Sequence, residues 1–238
     1  MKTLHRYSIC FLIFAVFLIC SAHLSVAQVD KEPGSPLEVA RKLNDQLGQL
    51  TSLSFTFTQK TMGQISGRTK QASGRAYFVK DDRKTMMRWN YLAPDRQVII
   101  SDGDKLNMYF ENLNQMIIAP ADQLQQDVTY SFFTGAKDIE DEFIVSEGGD
   151  IQEGVTDVTG YDVIRLEPRS TTSQVKDIRL WVKDQKNIQR IEIVDNFETE
   201  TVINISNIEE NSLTREGKLI NKELFNFTPP AGTEIIHQ

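Results

Sequence analysis

The residues that most often carry protein chemistry lie at the two ends of this chain. Both cysteines, Cys10 and Cys20, and two of the three histidines, His5 and His23, fall within the first 27 residues. The third histidine, His237, is the penultimate residue, and chain ends are usually mobile. Ser-His-Asp and Cys-His catalysis need a rigidly placed base, and zinc sites favour Cys and His ligands. We therefore predict no metal site, no cofactor and no catalytic centre of these kinds.

Carboxylates are the remaining candidates for catalysis. A hydrolase built on two carboxylates could draw them from four acidic residues, Asp102, Asp104, Glu111 and Asp195. Such a pair needs two different surroundings that separate its pKa values. Most of the four lie in predicted turns, where acidic side chains are commonly solvated. A carboxylate-based hydrolase is therefore the less favoured alternative.

The N-terminal segment has the pattern of a signal peptide. Basic residues precede an apolar run at residues 9–20, and Ser25-Val26-Ala27 supplies small residues around a cleavage point. The run is shorter than the roughly 20 apolar residues that span a bilayer. A lipid-attachment site at Cys20 would need a small residue before it, and Ile19 stands there. We expect cleavage after Ala27 and a soluble mature chain, residues 28–238, in one domain.

The charge balance argues against binding to nucleic acids. The full chain carries 26 Lys and Arg against 33 Asp and Glu. The signal segment holds two basic and no acidic residues, so the mature chain has 24 basic against 33 acidic residues and a net charge of −9. Nucleic-acid-binding proteins normally present a basic stripe, and this sequence has none. The predicted mature chain, about 210 residues long, is enough for one domain with a sizeable core.

Two segments have the pattern of helices. Ser35-Pro36-Leu37-Glu38 is a capping box with proline at the first helical position. An apolar stripe with steps of three and four residues starts there, formed by Leu37, Ala40, Leu43, Leu47 and Leu50. The second helical pattern covers residues 121–133, with Thr134-Gly135 as its stop, and its apolar positions are Ala121, Leu124, Val128 and Phe132.

Elsewhere the apolar period is two, which is typical of strands. Asp102-Gly103 predicts a hairpin turn between two of them. A sandwich, a closed barrel and an open, strongly curved sheet would all fit a dozen short strands. One early helix and one in mid-chain favour the last, a mainly β, incomplete antiparallel barrel whose helices enclose a pocket. The predicted strands cover residues 53–58, 74–80, 85–92, 97–101, 105–111, 115–119, 142–147, 160–167, 177–183, 187–194, 200–205 and 223–227.

Large, soft apolar side chains could line such a pocket. Methionine is flexible and polarisable, which suits a surface that accepts variable apolar ligands. The alternative is a filled core, because buried apolar residues are mostly structural and periodicity cannot separate the two cases. The candidate ligand-binding residues are Phe55, Phe57, Phe78, Met87, Trp89, Tyr91, Leu106, Met108, Phe110, Met116 and Ile118 on strands, with Leu124 and Phe132 on the second helical segment.

Several short motifs follow one another in an order and spacing that cover nearly the whole mature chain. They are Phe55-Thr56-Phe57-Thr58-Gln59, Met87-Arg88-Trp89-Asn90-Tyr91, Pro94, Ile99-Ile100-Ser101-Asp102-Gly103 and Phe225-Asn226-Phe227-Thr228-Pro229-Pro230-Ala231-Gly232. Taken together, this series resembles the LolA family of periplasmic lipoprotein carriers. The resemblance implies an incomplete antiparallel barrel with a lid of helices over a hydrophobic cavity.

The resemblance also implies a function and a set of partners. Carriers of this family take acylated lipoproteins from an ATP-driven extraction complex of the inner membrane. They pass them to an acceptor lipoprotein, LolB-like, at the outer membrane. A chain without a lipid-attachment cysteine fits the soluble periplasmic carrier better than the anchored acceptor. We therefore expect a monomeric, non-enzymatic carrier, with a lipid-sensing or adaptor domain of the same fold as the alternative.

One residue is carried over from the family as a candidate latch. Arg83 stands six residues before Trp89, where the family has an arginine that bonds the rim of the barrel to the lid. The family often places a proline after this arginine, whereas this chain has Lys84. The alternative for Arg83 is an exposed surface charge, a class of residue that often contributes little to stability.

Overall fold

The computed structural model describes residues 34–63, 67–81, 84–126, 132–133, 138–149, 160–216 and 218–238. The predicted signal peptide and its cleavage point lie outside these residues. The candidate latch Arg83 also lies outside them, as do Val128 and the predicted stop at Thr134-Gly135.

The first helix forms where the capping box predicts it. Helix α1 runs over Pro36–Gln49, and the hydroxyl of Ser35 accepts a hydrogen bond of 3.3 Å from the backbone N–H of Glu38. The inclusion of Leu37 in the buried stripe is wrong, since its side chain is 39% exposed. At about 100° per residue, Leu37 lies outside the arc that faces the sheet. The buried residues of α1 are Val39, Ala40, Leu43 and Leu47.

Fourteen strands account for most of the described chain. Short helical turns occur at Glu111–Leu113, Ala121–Gln126, Ile139–Glu142 and Lys222–Phe225. The strands are β1 Ser52–Gly63, β2 Thr69–Asp81, β3 Lys84–Ala93, β4 Gln97–Ser101, β5 Lys105–Phe110, β6 Gln115–Pro120, β7 Phe143–Glu147, β8 Tyr161–Pro168, β9 Val175–Lys183, β10 Asn187–Asp195, β11 Thr199–Glu210, β12 Thr214–Arg215, β13 Lys218–Leu219 and β14 Glu234–His237.

Twelve of these strands form one sheet that does not close on itself. Its order is β14-β6-β5-β4-β3-β2-β1-β11-β10-β9-β8-β7, and β12 pairs with β13 in a separate ribbon. Each neighbouring pair in the sheet is antiparallel except β14 with β6. The predicted fold class, a mainly β chain with an open antiparallel sheet and few helices, is confirmed.

The two faces of the sheet have different covers. We call the face that packs against α1 the inner face, and the opposite one the outer face. The inner core joins α1 to residues of ten strands and to Phe132 and Phe133. The second core lies on the outer face beneath the C-terminal segment and contains Val79, Met86, Val98, Ile100, Tyr109, Met116 and Phe225.

The C-terminal region differs most from the sequence-based prediction. The strand predicted at residues 223–227 is a 3₁₀ turn, and Phe225 from it packs into the outer core. The expectation of a mobile terminus is also wrong, because His237, in β14, pairs with Ile118 of β6. A four-residue strand at a chain end has too few residues to show a period. Pairing with β6 supplies the hydrogen bonds that hold it.

The helical pattern predicted at residues 121–133 is confirmed in part. Its beginning is a 3₁₀ helix, Ala121–Gln126, and Phe132 and Phe133 near its end are helical. Within the described residues, no helix combines the length and the apolar character that crossing a membrane requires.

Candidate functional site

The strand register arranges the inner face of β1 to β6 in rows. Residues directly opposite each other in an antiparallel pair share a face, so each row can be followed from strand to strand. The first row is Leu53, Phe78, Met87, Ser101, Leu106 and Ala119, the second is Phe55, Ala76, Trp89, Ile99, Met108 and Ile117, and the third is Phe57, Gly74, Tyr91, Gln97, Phe110 and Gln115.

Most of the predicted lining residues fall in these rows. Met116 and Ile118 do not, because they lie on the outer face with the second core, opposite to the rows. Phe132 is buried in the inner core, where its ring lies 5.7 Å from that of Phe143. The side chain of Leu124 is not among those described. The rows bring together Phe55, Phe57, Phe78, Met87, Trp89, Tyr91, Leu106, Met108 and Phe110.

Six aromatic rings form the centre of the inner face, and we call them the aromatic cluster: Phe55, Phe57, Phe78, Trp89, Tyr91 and Phe133. Phe133 enters it from outside the sheet, with its ring centre 4.7 Å from that of Phe55 and 5.2 Å from that of Phe78. Phe133 is not among the lining residues predicted from the sequence. The Phe132-Phe133 pair directly before a predicted helix stop was the signal for it.

Phe57 and Gly74 depend on each other. The two residues are paired across β1 and β2, and a Cβ atom at position 74 would lie 2.9 Å from Cζ of Phe57 and 1.9 Å from the carbonyl oxygen of Asn90. Glycine therefore lets the Phe57 ring cross its neighbouring strand and reach Trp89, at 4.7 Å between ring centres. An isolated glycine in a strand commonly marks such a close approach.

Around the aromatic cluster, the side chains that the structure describes pack closely. Beside Leu47, Leu50, Phe55 and Phe133 the described residues leave a space of about 20 Å³, which suits a single water molecule. The aromatic cluster is closed by Phe133 on one side. An elongated apolar ligand would therefore have to displace Phe133 from the aromatic cluster.

Polar contacts hold α1 at the edge of this core. The ammonium group of Lys80 donates hydrogen bonds to the carbonyl oxygens of Leu47 and Gly48 at the end of the helix, and partial burial lowers the pKa of Lys80. On its exposed side, Arg41 forms an ion pair with Glu140. The hydrogen bonds that Arg41 donates to the Glu140 carboxylate raise the pKa of Arg41. These few polar bonds, added to apolar packing, position the helix over the inner face.

The ends of β1 to β4 border a second, polar space. It has a volume of about 760 Å³, and its walls continue the inner face beyond the third row. Tyr91 belongs to both regions, since its ring lies 5.1 Å from that of Phe57 and its hydroxyl group donates to Oε1 of Gln59 at 3.1 Å. We call this space the polar cleft.

The four candidate carboxylates occupy structural positions. Asp102 accepts backbone hydrogen bonds from Asp104 and Lys105 in the β4–β5 turn. Burial raises the pKa of Asp102, but these bonds and nearby Lys84 outweigh it and hold the pKa below its ordinary value. Asp104 pairs with Lys84 at 2.8 Å. None of these contacts joins one candidate carboxylate side chain to another.

The other two carboxylates have similar roles. Glu111 faces Arg96, and Asp195 caps the β10–β11 turn by accepting from the backbone N–H groups of Phe197 and Thr199. Among the residues that the structure describes, no group of three or more His, Cys, Asp and Glu side chains could hold a metal ion.

Comparisons with known proteins point in one direction. The family model described as "Outer membrane lipoprotein carrier protein LolA" matches residues 48–228. An outer-membrane lipoprotein carrier protein of Methylococcus capsulatus is 28% identical over 194 residues, which cover 82% of this chain and 85% of that protein. Its counterpart from Alkalilimnicola ehrlichii is 28% identical over 229 residues and covers 94% of both chains. A LolA superfamily protein of Nitrosomonas europaea aligns with a TM-score of 0.40 and 12% identity, over 82% of this chain and 98% of that one.

Proposed function

Because this chain belongs to the LolA family of outer membrane lipoprotein carrier proteins, we propose that it holds the acyl chains of lipoproteins against the inner face of its sheet. It takes them from an ATP-driven extraction complex in the inner membrane and delivers them to an acceptor lipoprotein at the outer membrane. The mature chain, residues 28–238, works in the periplasm as a monomer. It binds and releases its cargo without catalysing a reaction.

The observation that supports this proposal is the set of apolar rows on the inner face, with the Phe133 ring packed onto them. Two rows and part of a third give β1 to β6 a largely apolar surface, and Phe133 lies against it. Helix α1 packs mainly against β7 and β8, and its C-terminal end is bonded to Lys80 of β2. An acyl chain of about sixteen carbons exposes apolar surface worth on the order of 12 kcal/mol in water. A carrier must cover that surface during transit, and these rows provide the contacts.

The cover also explains how cargo could be released. The aromatic cluster is filled when Phe133 occupies it, so an acyl chain and Phe133 compete for the same contacts. Closure of the empty state then lowers the net affinity for cargo, as a coupled two-state equilibrium requires. The proposed latch Arg83 would strengthen closure by donating hydrogen bonds to the lid. Its fixed guanidinium fork and permanent charge suit that role.

Transfer from membranes tests the function directly. Inner-membrane vesicles that contain the extraction complex and a radiolabelled lipoprotein are incubated with the purified mature protein. We expect ATP-dependent release of lipoprotein in a soluble 1:1 complex, and its delivery to liposomes that display the acceptor. Vesicles without ATP, and vesicles with ATP but no carrier, are the controls. Release that does not depend on the carrier would contradict the proposal.

A further inference from the structure

The polar cleft begins where the apolar rows end. Along β1 the inner-facing residues change from Phe55 and Phe57 to Gln59 and Thr61, and on β2 the partner of Thr61 is Lys70. The cleft lies between these strand ends and the turns beside them. Its walls are formed by Gln59, Thr61, Thr69, Lys70, Gln71, Ala72, Tyr91, Ala93, Pro94, Asp95, Gln97 and Asn112.

Hydrogen bonds fix part of the cleft wall. The Tyr91 hydroxyl donates to Gln59, and the Gln59 amide donates to Thr61 at 3.3 Å. The hydroxyl groups of Thr61 and Thr201 are hydrogen-bonded to each other at 3.2 Å. Gln97, which is paired with Tyr91, has no side-chain hydrogen bond to any residue in the described part of the chain. The cleft therefore combines an ordered polar wall with an amide whose donors and acceptor remain available.

The side chains that line the polar cleft indicate which class of ligand it can bind. Side-chain amides and hydroxyl groups offer both donors and acceptors, which matches the alternating N–H and C=O groups of a peptide backbone. An anionic lipid headgroup would instead call for several cations, in particular arginines that bind phosphate in a fork. Among the described residues that line the cleft, Lys70 is the one cation and Asp95 the one anion.

We propose that the polar cleft binds the N-terminal peptide of the cargo lipoprotein, the few residues that follow its acylated cysteine. This inference rests on the proposed function and adds a second subsite to it. With acyl chains on the aromatic cluster, the peptide leaves the apolar rows past Tyr91 and lies along Gln59, Thr61 and Gln97. The folded part of the lipoprotein remains outside the carrier.

Binding of three ligands distinguishes the acyl site on the aromatic cluster from the proposed peptide site in the polar cleft. The first is palmitic acid, the second a triacylated cysteine methyl ester, and the third the same triacylated cysteine followed by four neutral polar residues. Affinities for the mature protein are measured by displacement of a fluorescent fatty acid. We expect the peptide tail to tighten binding about tenfold over the methyl ester, which corresponds to about 1.4 kcal/mol.

Variants then test whether this increase in affinity arises in the polar cleft. The double variant Thr61→Val and Gln97→Leu should abolish the tenfold difference between the third and second ligands, while palmitic acid still binds. The control Gln189→Leu changes a glutamine on β10 that does not line the cleft, so the difference should remain. Comparing the two ligands on each variant cancels any effect on acyl binding.

The outcomes distinguish the two proposals. If all three ligands bind but the tail adds nothing, or if the tail's gain survives in the double variant, the peptide subsite is overturned and the carrier function stands. If none of the ligands binds, both proposals fail. A photo-cross-linking residue at Asn112 gives an independent readout, and cross-links to the first four residues of the tail support the subsite. Cross-links only to acyl chains overturn it.

Discussion

Phe133 is the residue whose removal separates a filled core from a usable pocket most directly. It is 4% exposed and contacts the rings of Phe55, Phe78 and Trp89. Phe133→Ala should lower the free energy of unfolding by about 3–5 kcal/mol. The same change should tighten binding of a fluorescent fatty acid, since the ligand no longer has to displace a ring. Denaturant titration and fluorescence titration measure the two effects.

The matched control is Phe225→Ala, which truncates a phenylalanine of 7% exposure in the outer core. It should destabilise the protein to a similar extent and leave fatty-acid binding unchanged. Equal changes in binding for both variants would show that general loosening, and not the vacated site, admits the ligand.

Met108 and Ile118 test which face of the sheet binds acyl chains. Both are partly buried, but Met108 lies in the second inner row and Ile118 on the outer face. Met108→Glu should weaken fatty-acid binding at least tenfold, because a carboxylate would have to be desolvated against the ligand. Ile118→Glu should leave the affinity within about twofold, and circular dichroism checks that both variants fold. Loss of binding in Ile118→Glu alone would reverse the assignment of the faces.

The latch proposed for Arg83 has its own test. Arg83→Leu removes the hydrogen-bond donors and keeps comparable bulk, so the lid should open more often and reclosure should no longer help to expel cargo. We expect this variant to accept lipoprotein, transfer it poorly and accumulate as a loaded complex. Arg83→Lys should be intermediate, because it keeps the charge without the forked geometry. Transfer at the wild-type rate by Arg83→Leu would return this residue to an ordinary surface charge.

At the scale of elements, strand β2 supplies hydrogen bonds to carbonyl groups at the C-terminal end of α1. Lys80 on β2 donates to two of them, which a helix cannot pair internally. Lys80→Met should lower the free energy of unfolding by about 1–2 kcal/mol at pH 7, as expected for hydrogen bonds from a charged donor. Lys60→Met, on the exposed side of β1, is the matched control and should change stability little. Urea titration of each variant gives the comparison.

The contribution of Lys80 to the free energy of unfolding should also depend on pH. Burial lowers its pKa in the folded state, so between that value and the ordinary 10.5 the unfolded chain binds more protons than the folded protein. Stability contributed by this group therefore rises with pH through that interval. The difference in stability between the wild type and Lys80→Met should widen from pH 7 to pH 10. A constant difference would show that burial does not perturb this lysine.

Elements with clear local signals could be predicted from the sequence. The capping box defined the start of α1, and Asp102-Gly103 defined the β4–β5 turn. On β5 the alternation of Leu106, Met108 and Phe110 with polar or hydroxylated residues assigns the face correctly. On β6 the run Met116-Ile117-Ile118-Ala119 is apolar on both faces, so no period selects one. Only the register with β5 places Ile117 and Ala119 inward.

The candidate site shows the same division. Alternation assigned most of the predicted strand residues to the inner face, whereas Phe133 could not be predicted because its position depends on a tertiary contact. The polar cleft could not be predicted at all, since Gln59, Tyr91 and Gln97 come from three strands and meet through register. Long-range pairing of this kind leaves no mark in a local pattern.

At the scale of the whole molecule, the proposed cleavage after Ala27 sets the first residue of the mature chain in the periplasm. Intact-mass measurement of the protein recovered from the periplasm should give a chain that begins at Gln28 and carries no lipid. The Ser25-Val26-Ala27 exit and Ile19 before Cys20 are the reasons for this expectation. A mass that includes residues 1–27, or a diacylglycerol adduct, would contradict a freely diffusing carrier.

The parallel pairing of β14 with β6 has a consequence for the timing of folding. Gln115 and Glu234, which are partners across this edge, are separated by 119 positions in the chain. Chains are synthesised and fold from the N-terminus onward, so β6 emerges long before the segment that completes its edge. Until the last residues are released, the backbone of β6 on that side stays open to any other strand in its surroundings. Until β14 pairs with it, β6 is an unpaired sheet edge, and such edges can pair with strands of other chains.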